Sequence, residues 1–455
     1  MNARPTSRVR WFLVFWLFVL SAVAYLDRVN LSIAGAKLAE EFAISNIQLG
    51  FVFSAFLLGY ALFQTPAGWL ADRFGPRRVL TAGVVWWGVF SALTASISHR
   101  IANVVMALLV LRFLLGAGEA IIYPASNQFV ARWIPPPERG KANGFIFAGV
   151  GIGAGVTPPF ISFLMLHYGW RSSFLVSALI GLAAGTVWYI AARDTPDTHP
   201  SVSSDELAFI HKGIVNSVAP GSTGLLSWSM ILSSRNVWIL SFAYFCFGYV
   251  AWVFFSWFYL YLAKVRGLDL KASALYSTLP FLAMAVCSPF GGAISDALTK
   301  RFGPRLGRCS IAVLGFTLTA IFIIFGSAAH DTRVASFVLA GGAGSLYLSQ
   351  SAFWAVSADL GGKSAGSLSG FMNMANQVGG MITVSFTPFL ADRFGWGAGF
   401  HVAAAAAGLG AIAWLFVKPG LTLSPSTSAV PSDSTNRHKH AHERRLPPNS
   451  GRASC

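Results

Sequence analysis

Four ionisable residues lie deep within long apolar stretches, where charges are rare. They are Asp27 and Arg28 in the first stretch and Arg112 and Glu119 in the fourth. A charged side chain in hydrocarbon costs about 2.5 kcal/mol or more, so each group needs a partner or a water-filled cavity. Two acids and two bases in this setting can exchange protons and hold an anion. The structural alternative is a pair of buried salt bridges that joins the first and fourth helices.

On the fourth helix, Arg112, Gly116 and Glu119 follow one another at i, i+4 and i+7. This spacing places them along a single helical stripe, and the glycine leaves room beside the two charges. The arginine and the acid therefore face the same neighbour or the same cavity.

The first helix shows a related pattern, with Tyr25, Arg28 and Ser32 at i, i+3 and i+7. Asp27 points about 100° away from that stripe. A phenol, a guanidinium and a hydroxyl can all donate to a carboxylate. An anion that occupied the arginine would deprive a nearby acid of its counter-charge and favour proton uptake there, which links anion binding to proton binding.

The second half of the chain offers neutral polar groups within apolar stretches. Amides in lipid cost free energy unless they are hydrogen-bonded, so they either join neighbouring helices or line a cavity that binds a small polyhydroxy or aromatic acid. The predicted wall consists of Tyr60, Trp257, Gln350, Ser351, Trp354, Asn373, Asn376 and Gln377.

The elements that carry these residues follow from the composition. Of 455 residues, 55% are hydrophobic and 11% are charged, less than half of the roughly 25% typical of soluble proteins. Twelve stretches reach the ~20 apolar residues needed to cross a bilayer, and they should be helices because lipid satisfies no free peptide group. The four cysteines are scattered, which argues against a disulfide framework or a metal site.

Most of the 33 Lys and Arg residues fall in segments on one side of these helices, which places both termini on the cytoplasmic side. The longest internal polar stretch divides the chain into six helices plus six. We predict an N-terminal six-helix bundle at 1–192, a cytoplasmic linker at 193–235, a C-terminal bundle at 236–418 and a disordered tail at 419–455. A His-rich run, His438 to His442, falls in that solvated tail.

A repeated loop relates the two halves. The block that begins at Gly68 and contains Asp72 recurs at the same spacing at Gly292 and Asp296. Glycines allow two helix ends to approach closely, and an Asp there can sit at a helix N-terminus or pair with an Arg, as a latch that breaks when the halves rock. The alternative is charge capping of a short turn. The predicted latch residues are Gly68, Asp72, Arg73, Gly75, Arg77, Asp296 and Arg301.

The first block resembles the loop signature of the major facilitator superfamily. The run from Tyr25 through Asn30, the segment from Tyr60 to Gly68, and Arg112 with Glu119 are similar to the anion:cation symporter family. That resemblance implies two six-helix bundles around a central cavity that works by alternating access. It also implies that Asp27 and Glu119 carry protons, that Arg28 anchors the carboxylate of the substrate, and that Arg112 tunes or replaces it.

The sequence thus predicts a transporter, and not an enzyme, that imports a small organic anion, a sugar acid or another carboxylate, by proton symport. We expect a monomer in the bacterial inner membrane, with no nucleic-acid partner, no metal and no cofactor beyond the coupling proton. An exporter of the same fold is the nearest alternative, although the glycine-rich fifth helix lacks the Gly-Pro step common in exporters. A membrane enzyme would need a catalytic constellation that the sequence does not supply.

Overall fold

The computed structural model describes residues 7–215, 224–268, 270–420 and 422–423, and this part of the chain is helical without a strand. The helices are α1 Val9–Phe42, α2 Asn46–Phe74, α3 Pro76–Ala95, α4 Val104–Glu119, α5 Ile122–Trp133, α6 Arg139–Tyr168, α7 Trp170–Ala191, α8 Ser204–Val215, α9 Trp228–Ser233, α10 Arg235–Ser256, α11 Phe258–Leu260, α12 Leu270–Phe302, α13 Pro304–Ala328, α14 Thr332–Gly361, α15 Ala365–Phe394 and α16 Trp396–Phe416.

Long apolar helices dominate the molecule. Within the described ranges, ten segments are long and apolar enough to cross a membrane, and α4 and α5 together form one of them. The helices α14 and α15, each of 30 residues, are equally long but more polar. They stand where the tenth and eleventh helices are predicted, and they carry the amides of the predicted cavity wall. The protein is therefore an all-helical, multi-pass membrane protein.

The duplicated turns show how the two halves repeat. The turns before α3 and α13 contain Gly75 at φ 88° and Gly303 at φ 84°, each followed by a proline as the first helical residue. Gly169 and Gly395, before α7 and α16, both have φ 80°. Positive φ is readily adopted only by glycine, and proline suits the first position of a helix. The same local chemistry therefore redirects the chain at matching places.

The fourth predicted helix is interrupted directly after Glu119. The helix α4 ends at this residue, and α5 starts at Ile122. Pro124 explains the break, because its ring collides with the carbonyl group of Ala120 in a continuous helix and because it lacks the amide hydrogen. The break places the acid at a helix end in the middle of the bundle.

The helices pack in two groups. In the first, α1 contacts α6 and α7, α2 contacts α4, and α3 contacts α7; in the second, α10 contacts α15 and α16, and α14 contacts α12 and α13. The two groups meet where α2 crosses α15 and where α6 crosses α12. The predicted linker, 193–235, contains α8 and α9, and the predicted tail lies outside the described residues apart from 419–420 and 422–423.

The linker helix α8 is fixed to the start of α1. The Glu206 side chain is fully buried, and its carboxylate accepts hydrogen bonds from the Ser7 hydroxyl, the Arg10 guanidinium and the backbone amides of Val9 and Arg10. Burial alone would raise the pKa of Glu206, but these hydrogen bonds hold its pKa below the ordinary range. The linker is thus tied to the first helix by a charged, hydrogen-bonded contact.

Candidate functional site: a central cavity between the two halves

A cavity of about 590 Å³ lies between the two groups of helices. Residues of α1, α2, α4, α5 and α6 line one side, and residues of α10, α14 and α15 line the other. Eight of the predicted substrate-binding residues belong to the lining: Tyr25, Arg28, Tyr60, Arg112, Gln350, Asn373, Asn376 and Gln377. The sequence pattern therefore predicts most of the polar wall.

Arg28 and Glu119 form an ion pair at the cavity wall. The Arg28 Nε donates to the Glu119 Oε2 at 2.7 Å. The arginine lines the cavity, whereas the acid is fully buried behind it. Arg28 Nη2 and Glu119 Oε1 have no hydrogen-bond partner among the described residues. Each member of the pair keeps unused hydrogen-bonding capacity that a ligand or a proton can satisfy.

Aromatic rings hold the Arg28 guanidinium in place. Its central carbon lies 4.1 Å from the ring centroid of Tyr60 and 4.9 Å from that of Tyr25. Such stacking is favourable for a cation and stronger where water is excluded. The rings fix the guanidinium at the cavity surface without neutralising its charge.

Arg112 has a different environment. It is buried and lines the cavity, with its guanidinium carbon 4.8 Å from the Phe56 ring centroid. Among the described residues, no carboxylate lies within ion-pair distance of it, although Glu119 and Asp27 act on it at longer range. Arg112 therefore presents a positive charge that no direct ion pair compensates.

Asp27 points away from the cavity, as its position on α1 predicts. Its carboxylate accepts a hydrogen bond from the Ser91 hydroxyl at 3.1 Å, and its side chain is buried. Ser91 lies on α3, so this acid sits between helices of the first group. Any proton that it binds is held behind the wall and not in direct contact with a ligand.

The amides of the second half form a connected wall. Gln350 donates to the Tyr244 hydroxyl, Asn373 donates to the Gln64 side-chain oxygen, both at 2.9 Å, and Asn376 donates to the Asn373 oxygen at 3.3 Å. The bond from Asn373 crosses from α15 to α2. Both predicted roles of the amides thus coexist, because the same residues line the cavity and join neighbouring helices.

Three residues predicted for the wall do not line the cavity. Trp354 donates to the Tyr244 hydroxyl and lies behind other aromatic lining residues, with its ring 5.0 Å from that of Phe147. Ser351 is fully buried, since it lies one residue, and hence about 100°, beyond Gln350 on α14. Trp257 follows the end of α10, and its ring lies 6.2 Å from that of Trp396.

The cavity contains an aromatic surface that no sequence motif predicts. Three of its rings, Tyr244, Phe247 and Phe255, lie with Ala251 along one stripe of α10. Their spacing of i, i+3, i+7 and i+11 shows in the sequence that they share one face of the helix. It does not identify a cavity wall, because apolar stripes with this spacing are common in any helix bundle. Tyr123, Phe147, Trp252 and Tyr347 also belong to this surface.

At one end of the cavity, Asp72 reaches across to the other half. Its carboxylate accepts hydrogen bonds from the backbone amides of Gly366 at 2.8 Å and Ser367 at 2.7 Å. These amides belong to the first residues of α15, where the helix dipole favours an anion. A side chain at Gly68 would collide with the Gly366 carbonyl oxygen, so the glycine permits this approach.

Asp296 makes the matching contact with α6. It accepts from the backbone amides of Gly140 at 3.0 Å and Lys141 at 2.6 Å, and it pairs with Arg308 at 2.5 Å. A side chain at Gly292 would collide with the Gly140 carbonyl oxygen. The two repeated acids thus each bind the start of a helix in the opposite half.

The remaining predicted latch residues stay within their own half. Arg77 donates to the Tyr189 carbonyl oxygen and stacks on its ring, while Arg73 lies over Trp69 and Arg301 over Phe302. Gly75 forms the turn before α3, beside the Asp194 carboxylate.

Two further contacts between the halves involve arginines that no sequence motif predicts. Arg139 pairs with Asp359 at 2.5 Å, and Arg308, which pairs with Asp296 within the second half, donates to the Pro136 carbonyl oxygen of the first half at 2.8 Å. The sequence does mark the two helix starts that the acids bind. Gly140 and Gly366 are separated by the same number of residues as Gly169 and Gly395, as expected for equivalent positions in the two halves. No repeat marks the two arginines, because neither has an equivalent in the other half.

These contacts define the state of the molecule. The latch contacts close the end of the cavity at which α2 ends and α15 begins. At the opposite end, the lining includes Gly50 and Phe51 near the start of α2 and Ser256 at the end of α10, and Phe51 is exposed. The cavity is therefore closed at the latch end and open at the other.

Comparisons with known proteins agree with this architecture. A family model described as Major Facilitator Superfamily matches residues 17–383 and 275–446. The chain is 35% identical to the probable sulfoacetate transporter SauU of Cupriavidus necator over 412 residues, which cover 90% of this chain and 94% of that protein. It is 31% identical to the probable galactarate/D-glucarate transporter GarP of Escherichia coli strain K12, over 71% of this chain and 76% of that one.

Among solved structures, the proton:xylose symporter XylE bound to 6-bromo-6-deoxy-D-glucose is similar, with a TM-score of 0.74 over 91% of this chain and 97% of that chain. The sequence identity of 15% means that this likeness speaks for the fold alone.

Proposed function

Because the chain belongs to the major facilitator superfamily, and its relatives include transporters of organic anions, we propose that it imports a small organic anion by proton symport. The observation that carries the proposal is the Arg28–Glu119 ion pair, in which the arginine lines the cavity and the acid is sealed behind it. Sugar acids and related carboxylates are the proposed substrates.

The geometry supports coupling through competition for the arginine. A substrate carboxylate or sulfonate that binds Arg28 replaces Glu119 as its partner. Without that counter-charge, the buried Glu119 carboxylate is costly to keep ionised, so proton uptake accompanies substrate binding. Anion and proton then favour each other's binding, as symport requires. Asp27 is the second proposed proton site and Arg112 the second cationic partner.

The latch contacts provide the alternating access. We propose that Asp72 and Asp296 release the starts of α15 and α6 when the loaded cavity opens at the latch end. From the excess of Lys and Arg in the loops at that end, we propose that it lies, with both termini, on the cytoplasmic side of a bacterial inner membrane. We propose a monomer that needs no cofactor beyond the coupling proton.

Transport by purified protein in lipid vesicles tests the proposal. Labelled D-glucarate, sulfoacetate and a hexuronate are offered with and without an inward proton gradient of one pH unit, which supports up to about tenfold accumulation per proton. We expect at least one anion to accumulate only with the gradient. Uptake that does not depend on the gradient would contradict the proposed proton coupling. Absence of uptake of every organic anion offered would contradict the proposed substrate class.

The variant Arg28→Lys tests the anchor in the same assay. A lysine keeps the charge but loses the planar fork that binds a carboxylate through two hydrogen bonds. We expect KM for the transported anion to rise by about 10- to 100-fold, the equivalent of roughly 1.5–3 kcal/mol for hydrogen bonds to a charged group. Arg100→Lys, at an exposed arginine outside the cavity, is the matched control and should leave KM unchanged.

A further inference from the structure

The charges at the cavity surface are unbalanced. Two charged residues belong to the described lining, Arg28 and Arg112, and both are cationic. The two acids of the cluster, Asp27 and Glu119, are buried and do not belong to the described lining. A ligand in the cavity therefore contacts two positive charges and no negative one.

The two guanidinium groups lie close enough to act on one small ligand. The Arg28 guanidinium carbon lies 5.6 Å from the Phe56 ring centroid, and that of Arg112 lies 4.8 Å from it. The groups are no further apart than those two distances combined. Each binds an anionic oxygen at about 2.8 Å, so a short molecule with an anionic group at each end spans them.

The charge of Arg112 has no direct partner in the described part of the protein. Arg28 has Glu119 as a direct partner, whereas no described carboxylate lies within ion-pair distance of Arg112, and its buried Nε has no hydrogen-bond partner. A buried cation without a partner is costly unless function retains it. A second anionic group on the substrate supplies that partner.

From these charges we infer that the transported substrate is a dianion, a dicarboxylate or a carboxylate with a sulfonate, held by Arg28 at one end and Arg112 at the other. This inference rests on the proposed function and narrows its substrate class. The four buried charges sum to zero without ligand, and the loaded cluster stays neutral only if one proton enters for each negative charge. A dianion is therefore carried with two protons, one on Glu119 and one on Asp27.

Matched anion pairs separate this inference from the proposed function. D-glucarate is compared with D-gluconate, which has the same carbon skeleton but one carboxylate, and sulfoacetate is compared with methylsulfonylacetate, in which a methyl group replaces a charged oxygen. In at least one pair, proton-driven uptake of the dianion should exceed that of the monoanion by about tenfold or more in kcat/KM. Proton-driven uptake that favours the monoanions, or ignores the second charge, would overturn the inference while leaving the proposed function intact.

The arginine itself provides the second arm. Arg112→Gln should lower the dianion preference by about tenfold or more, mainly through a higher KM for the dianion, and Arg112→Lys should retain most of the preference. A structural defect would instead reduce transport of both members of a pair alike. Arg100→Gln is the control for removal of an exposed arginine charge outside the cavity, and it should leave the ratio unchanged. An unchanged ratio in Arg112→Gln would contradict the inference.

Discussion

The roles that we propose for Arg28 and Glu119 differ because only the arginine lines the cavity. The arginine is accessible to a ligand, while the acid is fully buried and depends on the arginine for its counter-charge. In the proposed mechanism, a substrate thus acts on the acid without touching it. The structural alternative, a salt bridge that only holds α1 to α4, explains the contact but leaves unexplained why the arginine lines a cavity.

The division of roles predicts a specific loss in Glu119→Gln. Glutamine keeps the shape and can still accept from Arg28, but it cannot take up a proton. The variant should exchange labelled for unlabelled anion across a vesicle membrane and should lose accumulation driven by a proton gradient, by about tenfold at one pH unit. The comparison uses anion-loaded vesicles for exchange and empty vesicles with a gradient for accumulation.

The exposed Glu40→Gln variant, outside the cavity, is the control for this prediction and should behave as the parent protein does. Accumulation that persists in Glu119→Gln would contradict the assignment of this acid as a coupling site.

At the residue scale, the sequence predicts charged groups better than aromatic ones. Charges within apolar stretches are rare, so Asp27, Arg28, Arg112 and Glu119 are distinctive. Tyr244 and Tyr347 are not, because an aromatic residue in a membrane helix fits lipid, core and cavity equally well. The direct pairing of Arg28 with Glu119 depends on how two helices are rotated against each other, which their separate patterns do not determine.

At the scale of helices, the two latch acids are related by the repeat but differ in environment. Asp72 binds the start of α15 without a direct cationic partner among the described residues, whereas Asp296 binds the start of α6 and also pairs with Arg308. The Arg308 side chain is fully buried. Removal of one carboxylate or the other should therefore lower the stability of the protein by different amounts.

We expect Asp296→Asn to destabilise the protein more than Asp72→Asn does. Loss of the Asp296 charge leaves the buried Arg308 unpaired, at a cost of about 3–5 kcal/mol. Loss of the Asp72 charge only weakens hydrogen bonds to a helix start, at a cost of about 1–3 kcal/mol. Thermal unfolding in detergent measures the difference. Equal unfolding temperatures for the two variants would show that Arg308 does not depend on Asp296.

The linker contact predicts a pH-dependent stability. The pKa of Glu206 is lowered in the folded protein by its hydrogen bonds, so its contribution is fully present above the ordinary glutamate pKa of about 4.3 and is lost as pH falls through the folded-state pKa. Glu206→Gln should lower the unfolding temperature at pH 7, by the equivalent of about 1.5–3 kcal/mol, and the gap from the parent should shrink below about pH 4.3.

Glu40→Gln is the control for the linker prediction, since the Lys37–Glu40 pair is exposed, at 64% and 71%, and such pairs contribute little. A gap between Glu206→Gln and the parent that stays constant across this pH range would show that the charge of Glu206 is not what stabilises α8.

Element positions follow closely from the sequence because length and apolar content determine a membrane helix. Two features required the structure. The break after Glu119 depends on the conflict between Pro124 and a carbonyl group, which many membrane helices relieve by a kink instead. The docking of α8 depends on Ser7 and Arg10, which are distant in sequence and share no repeat with it.

At the scale of the whole molecule, the closed latches and the open opposite end describe one of the two states that alternating access requires. The repeated glycines and acids predict the closed end from the sequence. The open end follows from no local pattern, because it depends on the angle between the two groups of helices.

The central claim is that an organic anion and protons enter together through the cavity. The most direct test is the internal pH of vesicles that contain the purified protein and a trapped pH indicator, recorded without an imposed gradient while D-glucarate or sulfoacetate is added outside. We predict that the interior acidifies in step with entry of the labelled anion, and that Glu119→Gln, which retains only the Asp27 site, lowers the number of protons that enter with each anion. Entry of the anion into vesicles whose internal pH does not change would contradict the account.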